Sequence, residues 1–97
     1  MRHFYRSHLV PADVLAAADG FFAELGLRGT ATTADARTFS GPLGALRLSA
    51  RPEGGHYTVV RVDTDQMGES RLDRNAKRFF VSLHRQEDPR HQLEAAY

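Results

Sequence analysis

The stretch "ALRLSARPEGGHYTVVRVDTD", residues 45–65, decides the fold. Apolar and polar side chains alternate along it, which is the period of a strand with one buried face. In each half of the stretch, three alternate residues lie on one face of the predicted strand. They are Leu46, Leu48 and Ala50 in the first half, and Thr58, Val60 and Val62 in the second. Between the halves, "PEGG" carries turn residues. The pattern predicts two antiparallel strands joined by a short turn.

Two more strands are predicted upstream of this hairpin. The segment "RGTATTADARTF", residues 28–39, alternates weakly and predicts an edge-like strand over about 29–39. The following "SGPLG" is typical of a turn, because its proline cannot donate to a strand ladder. The opening "RHFYRSHLV" predicts a first strand over about 2–9, and polar side chains occur on both of its faces.

Two amphipathic helices are predicted around these strands. The segment "PADVLAAADGFFAELG", residues 11–26, begins with a proline suited to a first helical turn and ends in a glycine typical of a helix C-terminus. The second, "ESRLDRNAKRFFVSLHRQ", residues 69–86, opens with a capping-box pair, Ser70 and Asp73. Asp88–Pro89 ends it and starts a predicted short tail helix. Their apolar stripes are Val14, Ala17, Ala18, Phe21 and Leu25, and Leu72, Ala76, Phe79, Phe80 and Leu83.

The predicted order is β-α-β-β-β-α in a single domain over residues 1–97. Each helix has an apolar stripe that needs a partner, and the sheet face is large enough to cover both. The sequence therefore predicts an α+β two-layer sandwich, with an antiparallel sheet of about four strands and two helices on one face. The other sheet face is left uncovered, and a homodimer that pairs sheets or edges is one use for it.

Composition narrows the class of protein. The chain has 97 residues, a net charge of +1 and no cysteine, so disulfides and thiolate chemistry are excluded. No apolar run approaches the length of a membrane span, and the cytoplasm is the predicted location. Twelve arginines against one lysine indicate a GC-rich bacterial gene, which warns against a role for every arginine. No metal or cofactor motif occurs, and neither is predicted.

A resemblance adds a functional expectation. The first strand running into a proline-started helix, "SHLVPADVLAAADGFF", the meander, and the aromatic-rich last helix, "AKRFFVSL", resemble a reduced START/Bet v1-like helix-grip domain or the related TATA-binding-protein-like fold. The helix-grip resemblance implies a ligand held between sheet and helices. We therefore expect a non-catalytic binding or interaction module for a small apolar or amphipathic ligand or a protein partner. Its cavity would be bounded by five aromatic residues, Tyr5, Phe21, Phe39, Tyr57 and Phe80.

Two alternative functions stay open. Basic residues dominate the exposed side of the last helix, and they could bind a nucleic acid or another anion: Arg71, Arg74, Lys77 and Arg78. The net charge of only +1 weighs against nucleic acid. The second alternative is a small helix-grip-type enzyme that uses Tyr5 or a histidine such as His3 as acid or base.

Overall fold

The structure is a computed structural model that describes residues 1–87. Its elements in chain order are β1 (Arg2–Ser7), α1 (Pro11–Glu24), β2 (Arg28–Thr32), β3 (Ala36–Gly41), β4 (Gly44–Glu53), β5 (Tyr57–Thr64) and α2 (Arg71–Glu87). The predicted tail helix after Asp88–Pro89 lies outside the described residues. Within residues 1–87, no helix has both the length and the apolar content that crossing a bilayer requires.

All five strands form one antiparallel sheet in the order β1-β5-β4-β3-β2. The predicted α+β class with an antiparallel sheet and two helices is confirmed, but within residues 1–87 the sheet has five strands instead of about four. The single strand predicted over 29–39 is a hairpin, β2 and β3. The Thr33 amide donates to the carbonyl of Ala36, and the Thr33 hydroxyl donates to Asp35, so these polar residues close a tight turn.

The helix ends follow the signals in the sequence. Pro11 occupies the first turn of α1. At the other end Gly26 has a positive φ of 84°, which a glycine adopts without strain. The amides of Gly26 and Leu27 donate back to the carbonyls of Ala23 and Phe22, which is a Schellman motif. At the start of α2, the Ser70 hydroxyl accepts from the Asp73 amide, so the predicted cap is present.

An aromatic cluster fills the space between the helices and the sheet. Phe22 is fully buried, and its ring centroid lies 5.3 Å from that of Phe39 and 5.2 Å from that of Phe79. Aliphatic side chains from β4 and β5 complete this core: Leu46, Leu48, Ala50, Val60 and Val62. The predicted stripe of α1 was centred on the wrong phenylalanine, because Phe22 is buried while Phe21 lies at the margin of the core.

The sheet has two different faces. Both helices pack on the face we call the helix face, with α1 over β2, β3 and β4 and α2 over β1 and β5. We call the opposite side the open face. Alternation along β4 and β5 places the predicted apolar sets on the helix face, where they are buried. Thr58 shares that face and is also buried, and its hydroxyl donates to the carbonyl of Leu9.

Candidate functional site: the open face of the sheet

On one side of the open face, the edge strand β1 and the next two strands, β5 and β4, are paired in register. Cross-strand pairing places Phe4 of β1 opposite Arg61 of β5, and Arg61 opposite Ser49 of β4. The neighbouring row pairs Arg6 with Val59, and Val59 with Arg51. Two apolar side chains, Phe4 and Val59, are therefore surrounded by arginines from three strands. Phe4 is 61% exposed, which is unusual for a side chain of that size in the described part of the chain.

Phe4 and Val59 line two shallow hollows on this face. One of about 330 Å³ extends across β4 and β5, and its lining combines apolar and charged side chains: Phe4, Val59, Pro52, Ser49, Arg47, Arg51, Arg61 and Glu53. The second, of about 470 Å³, lies at the β1 edge and adds Tyr5 and Arg6. A surface of this composition can hold an apolar group and an anionic group side by side.

The arginines of the open face differ in whether they have a carboxylate partner. Asp63 accepts hydrogen bonds from Arg2 at 2.8 Å and from Arg61 at 2.9 Å. Burial alone would raise the pKa of Asp63, but these two hydrogen bonds outweigh it and lower the pKa. Arg51 is bonded to Asp35 at 2.9 Å. Among residues 1–87, Arg47 has no carboxylate within hydrogen-bonding or ion-pair distance, so its guanidinium is available to a ligand.

Polar residues on the helix face have partners within the protein. Asp73, 1% exposed, accepts hydrogen bonds from the hydroxyls of Thr64 and Ser70, both at 2.7 Å, and is hydrogen-bonded to His3 Nε2 at 2.8 Å. Burial would raise the pKa of Asp73, but these three bonds lower it to about 2. We call these four residues the Asp73 cluster. It joins β1, β5 and the start of α2.

Tyr5 makes a similar contact at the other end of α2. Its ring stacks on Phe80 with centroids 5.3 Å apart, and its hydroxyl donates to Glu87. The other carboxylate oxygen of Glu87 accepts from the amide of His8. Partial burial, followed by the hydrogen bond to Glu87, raises the pKa of the Tyr5 phenol. Tyr5 and His3, the acid–base candidates, are thus each held by a carboxylate, and the enzyme hypothesis stays a prediction.

The five residues predicted to bound a cavity do not surround one space. Phe39 is buried in the aromatic cluster, and Tyr5 and Phe80 stack on each other beside it. Phe21 lies at the surface between the two helices, where it lines a groove. Tyr57 is 43% exposed and lies on the open face, with its ring 4.9 Å from that of His8. Tyr57 is paired with Glu53 and lies on the opposite face of the sheet from Phe39, which is paired with Leu46.

The basic residues predicted on the last helix are all exposed, but they are not equivalent. Lys77 is paired with Glu69 at 3.3 Å. Within residues 1–87, Arg71, Arg74 and Arg78 have no carboxylate partner. In the same described part, no group of three or more histidine, aspartate and glutamate side chains is placed to hold a metal ion.

Comparison with known families and curated proteins gives no match, so the site is interpreted from its own residues. No family model matches the chain, and no curated protein matches it either.

Several residues of the open face were not foreseen from the sequence. Phe4 and Arg51 come together with Val59 only through the register of β1, β5 and β4. One signal pointed to them. Phe4 alternates with Arg2 and Arg6, and a large aromatic side chain between two arginines is a poor match for a buried face.

Proposed function

We propose that this domain is a non-catalytic binding module that holds a small amphipathic anion on the open face of its sheet. The hollow lined by Phe4, Val59 and Arg47 is the observation that carries the proposal. Its apolar part would cover the hydrocarbon or aromatic portion of the ligand. Its guanidinium groups would bind a carboxylate or phosphate, for which arginine has a matching planar geometry.

Exposure of Phe4 supports the apolar half of this proposal. A phenylalanine that is 61% exposed leaves apolar surface in contact with water. Val59 and Pro52 line the same hollow, and we call these three side chains its apolar floor. A ligand that covers this floor would remove apolar surface from water without any rearrangement of the sheet.

Charge supports the anionic half. The open face has five arginines, Arg2, Arg6, Arg47, Arg51 and Arg61, against the carboxylates of Glu53 and Asp63 and that of Asp35, which pairs with Arg51. Arg47 has no carboxylate partner within residues 1–87, so binding an anion would not require an existing ion pair to break. The hollow is open to solvent, and we therefore expect modest affinity that depends on salt.

This proposal places the ligand on the open face and not between the sheet and the helices. The helix-grip resemblance implies a ligand between sheet and helices, but Phe22, Phe39 and Phe79 occupy that space in ring contact. The resemblance itself stays a prediction. We keep the cytoplasm as the proposed location, in line with a chain that has no cysteine.

Native mass spectrometry of freshly purified protein tests the proposal. We expect an adduct of small-molecule mass that leaves on denaturation and is lost from the Arg47→Gln and Phe4→Ala variants. Arg28→Gln is the matched control, because Arg28 is an exposed arginine on β2 that does not line the hollow. A bare dimer would contradict the proposal and favour a second copy of the chain on the open face.

If the purified protein carries no bound ligand, octanoate serves as a defined probe of the open face. We expect octanoate to shift the backbone amide resonances of β4 and β5, and octanol, which lacks the charge, to shift them much less. Arg47→Gln should reduce the difference between the two probes. Shifts that map to the helices, or that are unchanged in Arg47→Gln, would overturn the assignment of the open face.

A further inference from the structure

A second surface, on the opposite side of the molecule, has a different chemistry. Four arginines of α2 recur at positions 71, 74, 78 and 85. At 3.6 residues per turn these positions fall within about 60° of one another around the helix. With a rise of about 1.5 Å per residue they extend along about 21 Å of its length. All four are exposed, and we call them the arginine stripe.

The carboxylates of α2 do not neutralise this stripe. Asp73 is buried in the Asp73 cluster, and Glu87 accepts hydrogen bonds from Tyr5 and from the His8 amide. Within residues 1–87, no member of the stripe has a carboxylate partner, whereas five arginines of β1, β3, β4 and β5 do: Arg2, Arg6, Arg37, Arg51 and Arg61. Codon bias raises the number of arginines but does not align the unpaired ones on one helix face.

A groove runs beside the arginine stripe, between α1 and α2. It measures about 370 Å³ and is lined by Phe21, Leu25, Asn75, Val81 and Ser82 together with two members of the stripe, Arg78 and Arg85. Asn75 and Ser82 each donate to a backbone carbonyl within α2, which leaves their side-chain oxygens as acceptors. The groove therefore combines a partly exposed aromatic ring, apolar walls and polar atoms next to cationic side chains.

We propose that the arginine stripe binds the sugar–phosphate backbone of a single-stranded nucleic acid, and that the groove between α1 and α2 receives one of its bases. Arginine suits phosphate because its guanidinium can donate two parallel hydrogen bonds. A base stacks on an aromatic or apolar surface when it is free of a duplex. Bases inside a duplex are already stacked, so the groove favours a single strand.

Other anionic partners fit the surface less well. A membrane-binding helix inserts its apolar face, but the apolar face of α2 is buried against the sheet through Leu72, Phe79 and Leu83. A protein interface has a core depleted of charge. The stripe instead puts four charges in line, which matches a linear polyanion.

Salt dependence measures the contribution of the stripe. The probe is a fluorescein-labelled DNA single strand of about 12 nucleotides, a length within the usual site size. If all four arginines contact phosphates, the slope of log affinity against log salt is about −3, or about a 50-fold loss between 50 and 200 mM salt. The double variant Arg74→Gln/Arg78→Gln should halve the slope, to about a 7-fold loss over the same range.

A matched control separates geometry from net charge. Arg28→Gln/Lys77→Gln also removes two positive charges, but Arg28 lies on β2 and Lys77 lies off the stripe, paired with Glu69. We expect this control to keep the slope of the unmodified protein. If the slope of log affinity against log salt falls as much in the control as in Arg74→Gln/Arg78→Gln, the proposal is wrong. An absence of binding at the lowest salt would also overturn it.

Competitors test the class of polyanion. We expect the single strand to compete about 10-fold better than a duplex of the same sequence, and better than polyglutamate or vesicles rich in phosphatidylserine. Phe21→Leu keeps the apolar wall but removes the aromatic face, and it should lower single-strand affinity while duplex affinity stays the same. Equal competition by the duplex, by polyglutamate or by the vesicles would contradict the assignment.

Discussion

Polar side chains have different surroundings on the two faces of the sheet. On the helix face, polar side chains have partners within the protein: His3 and Thr64 are each hydrogen-bonded to Asp73, and Thr58 donates to the carbonyl of Leu9. On the open face, Phe4 remains exposed and Arg47 remains without a carboxylate among residues 1–87. Alternating residues of the same strands thus serve two purposes. Side chains pointing one way form the core, and those pointing the other way form the surface on which we propose a ligand binds.

Truncating a phenylalanine on each side of the sheet should give the largest contrast. Phe22→Ala removes a fully buried ring in contact with Phe39 and Phe79, and we expect a loss of about 3–5 kcal/mol in the free energy of unfolding. Phe4→Ala removes a ring that is 61% exposed, and the expected change is within about 0.5 kcal/mol. Urea denaturation of both variants measures the difference. Similar losses would show that the open face is also part of the stabilising core.

A pair of aspartates gives the next contrast. Asp73→Asn replaces a carboxylate that is 1% exposed and has three hydrogen-bonding partners, and we expect a loss of about 3 kcal/mol because those partners lose a buried charge. Asp63→Asn changes a carboxylate that is 32% exposed, where solvent screens its two arginines, and we expect less than about 1 kcal/mol. Equal losses in urea denaturation would contradict the difference between the faces.

The pH dependence of stability follows from the same cluster. Asp73 has a pKa of about 2 in the folded protein against 3.8 in the absence of its partners. Because folding lowers this pKa, ionised Asp73 stabilises the folded protein. This contribution is fully present above about pH 4 and is lost as the pH falls through 3.8 towards 2. The expected loss is about 2 kcal/mol. The control is Asp73→Asn, whose unfolding midpoint should change less over that range. Parallel curves for the two proteins would exclude Asp73 as the cause.

The helix cap of α2 is expected to contribute less than the buried carboxylate of Asp73. Ser70→Ala removes the hydroxyl that accepts from the Asp73 amide and donates to the Asp73 carboxylate, and we expect a loss of about 1 kcal/mol. Thermal unfolding followed by circular dichroism measures it. Ser70→Asp, which keeps an acceptor but adds a charge beside Asp73, should recover little of that stability. Complete recovery would mean that the cap alone matters.

Local patterns predicted much of the fold. Leu48 and Val62 alternate with polar neighbours, and Pro11 and Gly26 mark the two ends of α1, so these elements follow from short-range chemistry. The hairpin of β2 and β3 was missed because "TATTADART" alternates weakly throughout, and its turn contains no proline or glycine to mark it.

The candidate sites were harder to predict because they depend on long-range register. Phe4 and Arg61 are 57 positions apart, and only the pairing of β1 with β5 makes them neighbours. Burial of Phe22 rather than Phe21 depends on how α1 is rotated against the sheet, which the run of alanines before them does not define. The arginine stripe, in contrast, lies on one helix, and helical spacing alone predicted most of it.

The sheet order has a consequence for the time course of folding. β2 to β5 pair with their sequence neighbours, so this meander can form through short loop closures. β1 is paired with β5, and Ser7 meets Thr58 across 51 positions. Of the five strands in residues 1–87, β1 is the first to be synthesised and its partner β5 is the last. Docking of β1 is therefore a late event, and the hydrogen-bonding edge of β5 stays open to competing strands until it occurs.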